Sequence, residues 1–154
     1  MKFKALKYLS EIEKKEVFRL WNNEYPEKLA YKSVDEFDDY LKNLTNQSHV
    51  LLEDNNGIVR GWYFDFIRNG EKWFAIILDS TLQGKGLGTK LLNRAKEKED
   101  ELNGWVIDHN NDRKQNGEFY KSPLGFYLKN DFEELKNERL ELEKISAVKI
   151  RWKR

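Results

Sequence analysis

The segment Gln83-Gly84-Lys85-Gly86-Leu87-Gly88 places glycine at alternate positions between an apolar run, Trp73 to Leu78, and a helical pattern from Thr89 to Leu102. Glycine at these positions permits positive φ and close approach of a ligand, and it leaves the backbone amides at a helix start open. Those amides and the positive end of the helix dipole point the same way, so the chemistry on offer is binding of a phosphate-like anion. The charges agree. The early part of the helix carries Lys85, Lys90, Arg94 and Lys96, and the later part Glu97, Glu99, Asp100 and Glu101, an order opposed to the dipole. Two other helix starts, Ser10-Glu11-Ile12-Glu13 and Ser33-Val34-Asp35-Glu36, have the pattern of capping boxes with acidic first turns. The glycine-led helix has no such acid, and an external anion would fill the place. Each charge of this kind contributes only about 0.3–1 kcal/mol, so an ordinary solvated helix start is the competing reading.

The elements around this turn can be read in order. Lys2 to Leu9 alternates as a strand; Ser10 caps a helix to about Asn23 with Ile12, Val17, Leu20 and Trp21 inward. Val34, Phe37, Tyr40, Leu41 and Leu44 recur at helical spacing in a second helix. Three strands follow, His49–Glu53, Ile58–Ile67 and Glu71–Asp79, joined at Asn55-Asn56-Gly57 and Asn69-Gly70, which suit tight antiparallel turns. After the glycine-led helix, Asn103-Gly104 reads as its stop, Trp105–Asp108 as a short buried strand, and Ser122-Pro123 as the start of a helix to about Asn130. Leu140, Leu142, Val148, Ile150 and Trp152 suggest a closing hairpin, and the polar stretch His109 to Tyr120 is the longest loop.

Composition narrows the classes. A chain of 154 residues with 39% hydrophobic and 14% aromatic content is expected to form a single domain, residues 1–154, with a substantial core. A net charge of +1 offers no basic excess for a phosphate backbone, so no nucleic-acid partner is expected. No cysteine is present, which excludes disulfides, thiolate metal sites and a cysteine nucleophile. No apolar run approaches the ~20 residues of a membrane span, and the start Met1-Lys2-Phe3-Lys4 lacks the apolar core of a signal peptide. The expectation is a cytoplasmic protein without membrane or metal partners.

With the glycine turn so placed, the chain resembles the GNAT superfamily of acyl-CoA-dependent N-acetyltransferases. Two motifs carry the resemblance: Gln83, Gly86 and Gly88 match the phosphate-binding signature, and Phe126-Tyr127-Leu128-Lys129-Asn130-Asp131-Phe132 matches the helix that ends in an aromatic-Tyr pair and a Gly-Phe step. The chain departs from the pattern at Asp131, where glycine is usual, and at Tyr120, where asparagine is common. The implied fold is α/β (α+β), with a mixed, mainly antiparallel central sheet flanked by about four helices. The implied reaction is direct transfer of an acetyl group from acetyl-CoA to a primary amine of a small molecule or peptide. A silent acyl-CoA-binding sensor or interaction module is the alternative. Neither monomer nor homodimer is favoured.

The resemblance also assigns roles. Coenzyme A would lie against Gln83, Gly84, Lys85, Gly86, Leu87, Gly88 and Thr89, and its pantetheine arm would pair with backbone groups near Ile77, Leu78 and Ser80, where the strand splays from Trp105–Asp108. Tyr127 falls on the position of the general acid, and a phenol with pKa near ~10 is protonated at neutral pH. A strand N–H near Leu78 could stabilise the oxyanion. For the general base, Asp79, Asp108 and His109 at strand ends all stay open. Trp21 and Tyr25 neighbour the family's acceptor pocket, and Asp65 is either an acceptor contact or an outer-face residue.

Overall fold

The computed structural model describes residues 1–154. The elements follow the order read above: strand β1 (Lys2–Leu6), helix α1 (Glu11–Glu24), helix α2 (Val34–Lys42), strands β2 (Thr45–Glu53), β3 (Val59–Arg68) and β4 (Glu71–Leu78), helix α3 (Leu87–Lys98), strand β5 (Glu101–Val106), helix α4 (Leu124–Lys129), and strands β6 (Glu133–Leu142) and β7 (Ile145–Lys153). Single 3₁₀ turns occupy Glu27–Leu29 and Ser80–Leu82. All strands join one seven-stranded sheet in the order β1-β2-β3-β4-β5-β7-β6. Every pairing is antiparallel except β4–β5.

Alternation along β3 explains why the sheet is covered on both faces. Trp62, Phe64 and Phe66 pack under α1 and α2 with Val17, Leu20, Trp21, Phe37 and Leu41. Tyr63 packs on the other face with Phe74 and with Leu91, Leu92, Ala95 and Tyr127 from α3 and α4. Buried His49 is fixed as the neutral tautomer: Trp62 Nε1 donates to its Nδ1 at 3.0 Å, and its Nε2 faces Gln47 Oε1 at 2.8 Å. Burial pushes its imidazole down to about 4.

Helix starts behave unequally, as read. Ser10 and Glu13 form a reciprocal capping box on α1, and Ser33 accepts from the Glu36 amide on α2. No side chain caps α3, no acid lies in its first turn, and its N-cap Gly86 sits at φ 79°.

Several boundaries differ from the sequence reading. Ile12 is 73% exposed rather than inward. Helix α3 ends at Lys98, and the residues from Glu101 belong to β5. Leu102 continues the helical spacing of Leu91, Leu92 and Ala95, so periodicity could not exclude it; pairing with Trp152 on β7 draws it into the sheet. Asn103-Gly104 is consequently mid-strand and not a helix stop. Most of the acidic half assigned to the helix is thereby lost: Glu97 stays in the last turn, but it lies between Lys96 and Lys98, which suit the dipole. Only the missing acid at the N-terminus survives as an irregularity.

Candidate active site

The β4–β5 junction creates the site. These strands share one parallel bridge, Trp73 with Asn103, where Asn103 Nδ2 donates to Lys72 O at 3.1 Å. Beyond it they separate. Asp79 N donates to Arg60 O at 2.8 Å on the β3 side, so alternation turns the peptide groups of Ala75 and Ile77 toward β3. Those of Ile76 and Leu78 face the gap. Of the residues expected to pair, Leu78 faces the gap, Ile77 faces β3, and Ile76 is the second gap-facing peptide. The amide of Ser80 is engaged by Glu24 Oε2 at 3.1 Å.

Two cavities open from this gap. The larger, 460 Å³, is lined by Ile76, Ile77 and Leu78 from β4, by Gln83, Gly84, Gly86, Leu87, Gly88 and Thr89 at the start of α3, and by Phe126 and Tyr127. Lys85 and Ser80 of the expected set do not line it; Lys121 and Glu24 do. A Cβ added at Gly84 or Gly86 would meet nothing within 4 Å, so these residues leave open approach to uncapped amides. Gly88 has a different reason for being glycine. A Cβ there would lie 2.8 Å from Phe126 Cζ, so Gly88 lets α3 pack against α4. An uncapped helix N-terminus beside an unpaired strand edge fits a pyrophosphate followed by an amide-bearing arm, the chemistry of coenzyme A.

The smaller cavity, 280 Å³, is walled by aromatic rings that include Trp21, Tyr40, Phe64, Phe66, Trp73 and Trp105. Its only charged lining residue is Arg68. Trp21 is anchored by donation from Nε1 to Leu29 O at 2.9 Å, and Asn22 exchanges two hydrogen bonds with the backbone of Tyr31. These contacts hold the α1–α2 connection as a wall.

Tyr25, Ile76, Tyr120, Pro123 and Tyr127 line both cavities, so the two spaces meet at a group of phenols. Tyr127 is 6% exposed and packs edge-on to Phe74 and Phe132, with centroids 5.7 and 5.4 Å away. Burial, then the neighbouring Tyr120, pushes its phenol up. Tyr25 and Tyr120 are likewise raised, chiefly by burial. All of them therefore keep their protons at neutral pH.

The three expected bases are placed elsewhere. Asp108 accepts a bidentate pair from Arg139, at 2.8 and 3.0 Å, and that guanidinium holds its carboxyl below the usual range. Burial pushes Asp79 up, but hydrogen bonds from Thr81 and Arg60 outweigh it and hold the carboxyl low. His109 Nδ1 accepts from the Asn111 amide at 3.1 Å, and its Nε2 lies 3.8 Å from Asp112. None of the three lines either cavity. Asp65 faces neither solvent nor the acceptor side: it is buried with Tyr63, whose hydroxyl donates to it at 2.7 Å, on the sheet face opposite Phe64 and Phe66.

Tyr120, Glu24 and Lys121 were missed as site residues by sequence reasoning. Tyr120 had a signal, since it stands at the usual asparagine position, and Glu24 directly precedes Tyr25 in the chain. The loop that carries Tyr120 is tied down by Glu27 N to Arg113 O at 2.8 Å, by an Arg113–Phe119 bridge, and by Lys114 Nζ to Glu24 Oε1 at 3.1 Å. No group of His, Asp or Glu side chains is arranged to hold a metal ion.

A strand edge opened by a splayed parallel pair, an uncapped glycine-led helix and a buried tyrosine between two cavities define an acyl-CoA-dependent transferase site. The family model for the acetyltransferase (GNAT) domain matches residues 45–134, and the chain belongs to this family of acetyl-CoA-dependent N-acetyltransferases. No curated protein matches the chain. Among solved structures it is similar to an aminoglycoside 6'-N-acetyltransferase complexed with coenzyme A, with TM-score 0.72 and 13% identity, covering 99% of this chain and 97% of that one. A structure of a putative phosphinothricin N-acetyltransferase gives TM-score 0.72 and 16% identity, covering 99% and 98%. Spermidine N-acetyltransferase from Vibrio cholerae in complex with CoA and spermine gives TM-score 0.69 and 18% identity, covering 98% and 95%. No helix is long and apolar enough to cross a membrane.

Proposed function

We propose that the protein acetylates the primary amine of a small molecule by direct transfer, with acetyl-CoA in the larger cavity and the amine in the smaller. The sharing of Tyr25, Ile76, Tyr120, Pro123 and Tyr127 by both cavities carries this reading, because it lets amine and thioester meet without a covalent enzyme intermediate. Acetyl-CoA supplies the acetyl group as an activated thioester. The gap-facing N–H of Ile76, at the junction of the two cavities, would donate to the carbonyl oxygen as negative charge develops on it.

The neutral amine nitrogen attacks the carbonyl carbon, the C–S bond breaks, and the amine releases one proton to solvent. Tyr127 donates a hydrogen bond to the departing sulfur, and the released thiolate takes up a proton from solvent. With its pKa pushed up, Tyr127 acts chiefly as a hydrogen-bond donor to the thiolate, since full transfer to a thiolate of pKa near ~8.5 is uphill. Burial of the acceptor in an apolar space disfavours its ammonium form, which assists loss of the first proton without a dedicated base.

The missing base favours one other reading, an acyl-CoA sensor that binds without turnover. Release of free thiol from acetyl-CoA, followed across a panel of primary amines, separates the two. Amine-dependent release, reduced at least ~100-fold in Tyr127→Phe at nearly unchanged coenzyme A affinity, supports transfer through Tyr127. Tight binding with no release for any amine supports the sensor. Release at the wild-type rate in Tyr127→Phe removes Tyr127 from the reaction.

A further inference from the structure

The charges of the acceptor cavity select among amines. No aspartate or glutamate lines it, and Arg68 at its exposed end is the sole charged lining group. The Arg68 guanidinium lies 4.9 Å above the Phe66 ring and 5.8 Å from that of Trp73, and it takes part in no ion pair. Of the two acids three residues away along the chain, Asp65 is buried on the opposite sheet face with Tyr63, and Glu71 pairs with Arg68 in the strand register but has its carboxylate held by Lys149 at 3.3 Å. Lys149 also reaches Glu138 at 3.6 Å, so both carboxylates on that side are engaged by Lys149 and neither pairs with Arg68.

A polycation entering this cavity would find no carboxylate and would face an unpaired guanidinium. An anionic group would find the reverse. The distance sets the length of the molecule. Arg68 stacks at the level of Trp73, while the junction with the acyl side lies at Ile76 on the same strand, and this separation is about 10 Å at the usual strand rise.

Resting on the acetyltransfer reading, we infer that the acceptor is an amphiphile with a primary amine at one end, an apolar or aromatic body, and a carboxylate or comparable anion roughly 10 Å away that pairs with Arg68. The amine enters the junction beside Tyr127, the body lies along Phe66 and Trp73, and the anion stays at the mouth. Arg68 is a specificity residue; it does not touch the reacting atoms.

The test compares 8-aminooctanoate, octylamine and 1,8-diaminooctane as acceptors in the full-length protein, with 4-aminobutanoate as a short control. The expected order of kcat/KM is 8-aminooctanoate, then octylamine, then 1,8-diaminooctane, with 4-aminobutanoate poor because it cannot span from junction to mouth. In Arg68→Gln the ratio of kcat/KM for 8-aminooctanoate over octylamine should fall about fivefold, the scale of an ion pair at a solvent-open site, through KM. Arg68→Lys should restore part of it. A preference for 1,8-diaminooctane, or a ratio unchanged in Arg68→Gln, overturns the inference while leaving acetyltransfer standing. No thiol release with any of the four overturns the inference, and release with another primary amine then keeps acetyltransfer standing. Coenzyme A binding by Arg68→Gln verifies that the variant is folded.

Discussion

At the scale of residues, the site has donors in place and lacks a free acceptor of protons. Tyr25, Tyr120 and Tyr127 have phenols pushed up by burial, and the carboxylates of Asp79 and Asp108 are held low by partners outside the cavities. Glu24, the one carboxylate lining the larger cavity, is occupied by Lys114 and the Ser80 amide. On the proposed reading, ionisation of the acceptor amine then governs the rate. For a simple alkylamine, kcat/KM should therefore rise about tenfold per pH unit through neutrality toward the amine pKa near ~10. No descending limb should intervene, because raised phenols stay protonated over that range. An enzymic plateau setting in at pH 6 to 7 would show that a base has been overlooked.

Among the elements, the glycine-led start of α3 and the Phe126-Tyr127 helix were legible because each rests on local chemistry. Uncapped amides and aromatic spacing can be seen in a short window. The end of α3 was not legible, since Leu102 satisfies helical spacing and β pairing equally, and only its partner on β7 decides. The usual glycine after α4 has a physical reason visible in the structure. Asp131 sits at φ 69°, with Asp131 N bonded to Leu128 O and Phe132 N to Tyr127 O, the two bonds of a Schellman turn. A side chain there carries left-handed strain of about 1–2 kcal/mol, partly offset by the chain entropy a glycine loses on folding. Asp131→Gly should raise stability by about 0.5 kcal/mol in urea unfolding. A loss of stability would mean that the aspartate side chain contributes more than its backbone strain costs.

For the whole molecule, element order was readable because hairpin turns, caps and strand alternation repeat along the chain, whereas the acceptor side was not. Asp108 is held by Arg139, 31 residues away in sequence, and Asp79 by Thr81 two residues on and by Arg60 19 residues back; no local pattern announces the two arginine pairs. Likewise, the aromatic cavity proposed for the acceptor draws its walls from α1, α2, the sheet and the loop before α4. What the assembled fold adds is the junction, two cavities meeting at Tyr127, on which the proposal that both substrates are held together rests. Initial rates of thiol release with acetyl-CoA and an amine varied together test this most directly. Intersecting double-reciprocal lines are expected for transfer within a ternary complex; parallel lines, the mark of an acetylated enzyme intermediate, would contradict it.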